Sequence, residues 1–239
     1  MEHGARFDAA PLRFVVEVSP DDESGPLTFL PAPAGFTVAC GEAGRGAFDV
    51  ATRTGTLHAG RASFVPLLET LVLTALDWTF FVGIHAGCVM RGRKSVLLCG
   101  DSGAGKSTLA YACSQSGWDY VSDNSLHWAT APHDELVSGS PEIRLREGAR
   151  RLFSLDGAVS VPWTPRAPAG LCVFLIRRPG PARLRPHSTQ DAMTYFAQYD
   201  TRPDRAYAEE RYRALLEPGV WAMEYEDVWD AVHCLETLL

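Results

Sequence analysis

The sequence predicts an α/β protein whose core is preceded by a small β-rich section. Two continuous apolar runs, SVLLC at 95–99 and LCVFLI at 171–176, are typical of strands buried on both faces. Alternating runs such as LRFVVEV in segment 12–62 instead indicate strands with one exposed face. We therefore expect a β-rich N-terminal section over 1–65, packed on a core domain over 66–239.

Hydrophobic periodicity places helices between these strands. The stretch 66–84 is strongly apolar, but Glu69 and Asp77 interrupt it and its apolar residues recur at helical spacing. A charge near the bilayer centre costs about 3 kcal/mol on insertion scales, so a buried amphipathic helix over 66–82 is favoured over a membrane span. GKSTLAYACSQS predicts a second helix, ended by Gly117. The C-terminal third is predicted to be largely helical.

Composition limits the class of protein. The 239 residues carry a formal net charge of −7, which argues against non-specific nucleic-acid binding because that depends on a surplus of Lys and Arg, although a local basic patch stays open. The six cysteines are scattered without a CxxC pair, so buried thiols are favoured over a zinc site or a disulfide framework. The first residues lack the basic region and apolar run of a signal peptide. We expect a cytoplasmic protein with no membrane partner, and a homo-oligomer is left open.

A glycine-rich motif directly follows the strand SVLLC. GDSGAGKS matches the pattern G-x-x-x-x-G-K-[ST] from Gly100 to Ser107 and stands between a strand and a helix, as a phosphate cradle requires. Glycines let the backbone wrap a phosphate without Cβ clashes, and the amides at the start of the helix point at the anion. Lys106 is expected to reach the β- and γ-phosphates, and the Ser107 hydroxyl to bind Mg²⁺. The predicted nucleotide-binding residues are Gly100, Asp101, Ser102, Gly103, Ala104, Gly105, Lys106, Ser107 and Thr108.

The rest of the sequence supports phosphate binding and narrows the class of protein. Of the 22 Lys and Arg residues only Lys94 and Lys106 are lysines, yet one stands where a compact ammonium is needed. A GTPase would carry an NKxD-like motif, which is not found, and LVSGS at 136–140 is only a faint counterpart of the LSGGQ of an ABC ATPase. The motif therefore predicts phosphate binding without naming the reaction.

The segment 84–124 resembles the catalytic domain of HPr kinase/phosphorylases and the smaller HPr-kinase-related proteins. The resemblance rests on the run His85-Ala86-Gly87, the cradle GDSGAGKS, the helix ending at Gly117, and the acidic end of the strand WDYVSDN. A later Glu-Ile-Arg run, beginning at Glu142, is similar to a family signature. The family's hexamer-forming sensor domain has no evident counterpart in the sequence. The resemblance implies a P-loop core with a mixed sheet, and ATP and Mg²⁺ as cofactors.

The resemblance also implies roles for particular residues. Lys106 would hold the nucleotide, and His85 would lie near the transferring phosphoryl group. The implied metal ligands are Ser107, Asp123 and Glu142. The family's acidic pair supplies the base that takes the proton of a serine hydroxyl, but the second member here is Asn124, which cannot accept a proton at neutral pH. Asp123 is left as the predicted base, and Asn124 could orient the acceptor or a water.

Several of these residues also have a plainer interpretation. Asp123-Asn124 could close the strand as an Asx turn. His85 could be a core or strand-end histidine, and Glu142 an exposed strand residue. Arginines crowd one stretch of the sequence, at Arg144, Arg146, Arg150 and Arg151. Arg144 and Arg177 are candidates for contacting a phosphate or the acceptor, with a solvated face as the alternative.

The sequence therefore predicts an ATP- and Mg²⁺-dependent kinase that phosphorylates a hydroxyl, with Ser of a protein or peptide as the favoured acceptor. Some small relatives of the family phosphorylate peptide precursors, such as those of lasso peptides. The resemblance therefore implies a peptide precursor as one candidate acceptor for this chain. The alternatives are a catalytically weak nucleotide-binding regulator or scaffold, and a nucleotide hydrolase or phosphorylase. GTP and pyrophosphate stay open as alternatives to ATP.

Overall fold

The computed structural model describes residues 12–20, 25–32, 34–42, 44–129, 135–200 and 205–239. These residues form fifteen strands and six helices, so the expected α/β class is confirmed. The chain divides into two compact units, and the division falls between Phe80 and Phe81. Within the described residues, no helix is both long and apolar enough to cross a membrane.

The first unit contains a five-stranded sheet with a helix on one face. The strands are β1 (Arg13–Ser19), β2 (Leu27–Ala32), β3 (Gly35–Cys40), β4 (Gly44–Asp49) and β5 (Thr54–Gly60). Their order is β1-β5-β4-β3-β2, in which β1 runs parallel to β5 and the other neighbours are antiparallel. Burial alternates along β3, β4 and β5, as expected where one face packs on a core and the other is exposed.

Helix α1 (Arg61–Thr79) covers the buried face of this sheet. Its side chains Leu67, Leu71 and Trp78 recur at helical spacing and belong to one buried cluster with Phe36 of β3. The rings of Phe36 and Trp78 meet edge-on, with 5.1 Å between their centroids. The helix begins before its predicted start at 66, and Pro66 lies inside it rather than in its first turn.

The unit boundary differs from the predicted boundary after residue 65. The structure groups α1 with the N-terminal strands and starts the second unit at Phe81. The physical reason is that the apolar face of α1 packs on β3, β4 and β5. An amphipathic pattern shows that a helix has a buried face, but it does not name the sheet that buries it.

The second unit contains two sheets. Its strands are β6 (Phe81–Ile84), β7 (Gly87–Arg91), β8 (Lys94–Cys99), β9 (Asp119–Ser122), β10 (Leu126–Ala129), β11 (Glu135–Val137), β12 (Arg166–Pro168), β13 (Leu171–Arg177), β14 (Arg183–Pro186) and β15 (Val220–Tyr225). The four-stranded sheet, β12-β11-β10-β6, is antiparallel. The six-stranded sheet, β14-β15-β13-β8-β7-β9, is mixed, because β13 runs parallel to both β8 and β15 while the other pairs are antiparallel.

The six-stranded sheet lies between two buried clusters. Leu97 of β8 belongs to one cluster, and Leu98, the next residue, belongs to the other. Cys172 and Val173 of β13 divide in the same way. The prediction that both apolar runs are strands buried on two faces is therefore confirmed.

Five helices complete the second unit. They are α2 (Lys106–Gln115), α3 (Glu147–Leu152), α4 (Thr189–Tyr199), α5 (Arg205–Leu215) and α6 (Val228–Glu236). Helices α4, α5 and α6 lie in the C-terminal third, which was predicted to be largely helical. That part of the chain also contains β14, before α4, and β15, between α5 and α6, which extend the sheet beside β13. Helix α6 begins after Asp227, whose side chain accepts hydrogen bonds from Trp229 N and Asp230 N at 2.8 and 3.1 Å.

Candidate phosphate-binding site

The glycine-rich motif forms the loop between β8 and α2, in the centre of the six-stranded sheet. Its three glycines, Gly100, Gly103 and Gly105, have φ angles of 134°, 94° and 104°. A side chain at either end of the loop would also collide: a Cβ on Gly105 would lie 2.2 Å from Tyr225 Oη, and one on Gly100 would lie 2.9 Å from the Cβ of Ala104. The loop is therefore built on backbone that only glycine adopts without strain.

The start of α2 offers backbone amides to an anion. Its N-cap residue is Gly105, which has no side chain to accept hydrogen bonds from the first amides of the helix. Those amides and the helix dipole both favour an anion at this position. Tyr225 supports the loop from β15, because its hydroxyl donates a hydrogen bond to the Ala104 carbonyl oxygen at 2.9 Å.

Lys106 folds back onto the loop. Its side chain is 7% exposed, and Nζ donates a hydrogen bond to the Gly100 carbonyl oxygen at 2.6 Å. Burial lowers the pKa of Lys106, and the charge of Arg146 acts in the same direction, whereas the carboxylates of Asp101 and Asp123 oppose it. A buried ammonium at the mouth of the loop is therefore only partly compensated, which favours the arrival of an anion.

Asp123 is fixed at the end of β9. It is 6% exposed, and its Oδ2 accepts a hydrogen bond from the backbone amide of Arg144 at 2.9 Å. Its Oδ1 lies 3.3 Å from the hydroxyl of Tyr120, which also donates to the Glu142 carbonyl oxygen at 2.8 Å. Burial, followed by the nearby charge of Asp123, raises the pKa of Tyr120. These contacts join the Glu-Ile-Arg run to the predicted base.

Asn124 is exposed beside Asp123, in a turn that Ser122 closes. The Ser122 hydroxyl donates to the Ser125 carbonyl oxygen at 2.7 Å and accepts from the Ser125 amide at 3.2 Å. The Asx turn considered for Asp123-Asn124 is therefore replaced by a serine-centred turn. The carboxylate of Asp123 does not close this turn, because it accepts a hydrogen bond from the Arg144 amide.

His85 lies near the loop, between β6 and β7. Its ring stacks on Tyr199 of α4 with 4.2 Å between the centroids. Burial lowers the pKa of His85, and the positive charge of Lys106 adds to that effect. The Tyr195 hydroxyl lies 2.9 Å from the carbonyl oxygens of both His85 and Gly100, and it accepts a hydrogen bond from the Gly100 amide at 3.2 Å. Tyr195 thus joins the residues around His85 to the first residue of the loop.

The remaining predicted residues differ in how closely they approach the glycine-rich loop. The side chains of Glu142 and Arg144 are exposed. Arg177 contacts the loop region: its guanidinium lies 5.3 Å from the centre of the Tyr225 ring, and a Cβ on Gly105 would lie 3.9 Å from it. Its other partner is the Glu226 carbonyl oxygen, to which it donates at 3.1 Å.

Sequence reasoning did not single out Arg146. Its guanidinium donates a hydrogen bond to the Ser102 hydroxyl at 2.7 Å and lies next to Gly103. The cluster of arginines between 144 and 151 was the only signal of it in the sequence. The tyrosines Tyr120, Tyr195 and Tyr225, which brace the loop and the carboxylate, gave no local signal, because each acts through residues distant in the chain.

The donor set fits a magnesium ion that is bound together with phosphates. Among the described residues, no cluster of three His, Cys, Asp or Glu side chains stands ready to hold a metal. Mg²⁺ is commonly held by one or two carboxylates, a hydroxyl, water and substrate phosphates. Ser107 at the start of α2 and Asp123 supply donors of that kind, and each carboxylate oxygen of Asp123 keeps a further lone pair after its hydrogen bond.

No protein-family model matches the sequence, and no curated protein matches it either. Among solved structures, the chain is similar to the Hpr(Ser) kinase/phosphatase from Coxiella burnetii. The match has 14% sequence identity and a TM-score of 0.38, and it covers 65% of this chain and 89% of that chain. A similarity of this size does not assign a function.

Proposed function

We propose that the protein is a phosphotransferase that uses ATP and Mg²⁺ to phosphorylate a hydroxyl group, with Ser of a protein or peptide as the acceptor. One observation carries the proposal: three glycines with positive φ lead into an uncapped helix whose first residue is a buried lysine. This arrangement suits the anionic end of a nucleoside triphosphate.

The loop and Lys106 would bind the phosphates. The amides of the loop and of the first turn of α2 would hold the β- and γ-phosphates. Lys106 would exchange the Gly100 carbonyl oxygen, 2.6 Å away, for a phosphate oxygen. Ser107 and Asp123 would hold Mg²⁺, with Glu142 as the further ligand that the family resemblance implies. The ion supplies neutralisation of the charge that develops on the phosphates.

Asp123 would act as the base in the transfer. The acceptor oxygen forms a bond to the γ-phosphorus, the bond from that phosphorus to the β–γ bridging oxygen breaks, and ADP leaves. The hydroxyl proton passes to Asp123, which the amide of Arg144 holds in a fixed orientation. Asn124, exposed beside it, would orient the acceptor through its carboxamide. His85 would lie near the transferring group, with its neutral form favoured by the lowered pKa.

The acceptor class rests on the resemblance of segment 84–124 to HPr-kinase-related proteins. Such enzymes phosphorylate a serine hydroxyl, and small relatives act on peptide precursors such as those of lasso peptides. A serine in an extended or flexible peptide would bring its hydroxyl to Asp123 without unfolding a partner. We place the enzyme in the cytoplasm, where ATP is supplied.

A nucleotide-binding regulator without efficient transfer is the second candidate. The observation that favours it is the pairing of an uncharged Asn124 with an Asp123 whose Oδ2 already accepts a hydrogen bond from the Arg144 amide and whose Oδ1 lies 3.3 Å from the Tyr120 hydroxyl. General-base assistance contributes typically 10²–10⁴-fold, so a poorly placed base would leave binding intact while slowing transfer.

Two measurements separate the candidates. Calorimetry with ATP and Mg²⁺ tests binding. Lys106→Ala removes the buried ammonium and should weaken binding, whereas Lys94→Ala, which removes an exposed lysine beside a turn, is the matched control and should not. Incubation with labelled ATP and serine-containing peptides tests transfer. Binding with transfer supports the phosphotransferase, whereas binding without transfer or turnover supports the regulator. Wild-type protein that binds neither ATP, GTP nor pyrophosphate would overturn both.

A further inference from the structure

Strand β1 leaves one edge of the N-terminal sheet open. In the described part of the chain, β1 pairs with β5 on one side and no strand pairs with its other side. Three of its valines are exposed: Val15 by 65%, Val16 by 41% and Val18 by 52%. Such an edge presents backbone donors and acceptors in a row, together with apolar side chains on both faces.

The opposite edge of the same sheet is protected differently. Strand β2 carries Pro31, which has no backbone N–H to offer to another strand. The sequence of β1, RFVVEVS, has no proline or lysine in its seven residues, and its two charged residues have opposite sign. Proteins commonly use proline and lysine to prevent edge-to-edge pairing, so the two edges differ in their capacity to accept a further strand.

The hydrogen bonds of β1 show which of its residues face outward. The Arg13 amide donates to the Arg53 carbonyl oxygen at 3.1 Å, towards β5. Along a strand, successive amides point to alternate sides. The backbone groups of Phe14, Val16 and Val18 therefore point away from β5 and are the ones that a new strand would meet.

The charges of β1 select one arrangement of such a pair. If two copies of β1 run antiparallel with Val15 opposite Val15, then Arg13 of each copy lies opposite Glu17 of the other. In the same register Phe14 lies opposite Val16, and both have outward-facing backbone groups. Opposite charges in directly facing positions stabilise a strand pair, and so do aromatic residues facing β-branched ones.

We propose that β1 is a self-association surface, through which two copies of this chain join their N-terminal sheets by antiparallel pairing about Val15. The partner is a second copy because the strand is complementary to itself: its only two charged residues have opposite sign and are equally distant from the centre. Glu17, whose carboxylate lies 3.3 Å from His58 Nδ1 of β5, is 75% exposed and has a second oxygen to offer to a partner. An isologous pair of this kind closes after two copies, because each edge is used by the other.

A charge-swap series tests the proposal by analytical ultracentrifugation of the full chain at concentrations reaching roughly 1 mM, since a short strand pair associates weakly. We expect a reversible dimer for the wild type. Arg13→Glu and Glu17→Arg should each weaken it by about tenfold or more, because each places like charges opposite each other. The double variant Arg13→Glu/Glu17→Arg should restore it. Glu69→Arg, an exposed reversal on α1, is the control and should leave association unchanged.

A backbone variant provides an independent check. Val16→Pro removes an N–H that points outward and leaves the ladder to β5 intact, so it should abolish the dimer while circular dichroism and the melting temperature change little. A wild type that stays monomeric, or a double variant no better than the single ones, would overturn the proposal. Binding of serine-containing peptides to β1 by a monomeric wild type would overturn it as well, in favour of a peptide occupant.

Discussion

The guanidinium of Arg146 donates a hydrogen bond to the Ser102 hydroxyl at 2.7 Å, and this contact joins the end of the Glu-Ile-Arg segment to the glycine-rich loop. Ser102 lies in the loop between Gly100 and Gly103. Arginine is suited to binding phosphate in two-point fashion. If the loop binds a nucleotide as proposed, we expect Arg146 to change its partner from Ser102 to a phosphate.

We expect Arg146→Ala to weaken ATP binding by roughly 10–100-fold, because a hydrogen bond to a charged group contributes about 1.5–3 kcal/mol. ADP binding should change much less, since the outermost phosphate is missing. Calorimetry with both nucleotides measures the difference. Arg151→Ala is the matched control, because Arg151 is exposed and pairs with Glu147 on α3. Equal losses for ATP and ADP would show that Arg146 acts on the loop and not on the terminal phosphate.

The loop conformation makes a prediction about stability. Gly105→Ala places a Cβ 2.2 Å from Tyr225 Oη at a φ of 104°, so we expect the free energy of unfolding to fall by about 2–4 kcal/mol. Gly117→Ala is the control, with a φ of 82° and open space around the Cβ. It should cost only the backbone strain, about 1–2 kcal/mol. Urea denaturation measures both.

A second variant separates collision from strain at Gly105. Tyr225→Phe removes the hydroxyl that the new Cβ would meet, at the cost of the hydrogen bond to Ala104, about 1 kcal/mol. In the double variant, part of the loss from Gly105→Ala should therefore be recovered. Strictly additive losses would mean that backbone strain alone makes glycine necessary at this position.

The strand, loop and helix around Lys106 could be predicted because their signals are local. A continuous apolar run, a glycine pattern and a helix stop at Gly117 all lie within a short segment. Strand β15 was not predicted, because its short run VWAMEY gives no signal of the strand beside which it lies. Its place beside β13 is a contact between distant parts of the chain.

The residues of the candidate site likewise divide into those with a local sequence signal and those brought together only by the fold. The residues of the loop were predicted from the motif, and Asp123 from the resemblance to HPr-kinase-related proteins, in which an acidic pair ends this strand. Arg146 could not be chosen among its neighbouring arginines, because all four have the same local chemistry and only the fold brings one of them to Ser102. The tyrosines that brace the site bind backbone carbonyl oxygens. Because every residue type has a backbone carbonyl, the sequence does not indicate which residues these tyrosines contact.

His85 makes stability depend on pH. Its folded pKa is lowered from the ordinary value of 6.5 by burial and by the charge of Lys106. The unfolded chain therefore binds a proton at His85 more readily than the folded one, so stability falls as the pH drops from 6.5 towards the folded pKa. We expect His85→Gln to remove part of this loss in thermal unfolding at a series of pH values. His187, whose pKa burial also lowers, should retain the rest. Parallel curves for the variant and the wild type would contradict the assignment to His85.

The proposed roles of Asp123 as the base and of Asn124 as the residue that orients the acceptor can be tested separately. Asp123→Asn keeps the shape and the hydrogen bond from the Arg144 amide but cannot accept a proton, so transfer should fall by roughly 10²–10⁴-fold. Nucleotide binding without the metal should change little. Asn124→Asp should maintain or increase transfer, because it adds a carboxylate at an exposed position beside the first. Single-turnover transfer of labelled phosphate measures each rate. Unchanged transfer in Asp123→Asn would exclude Asp123 as the base, and a large drop in Asn124→Asp would show that the carboxamide itself positions the acceptor.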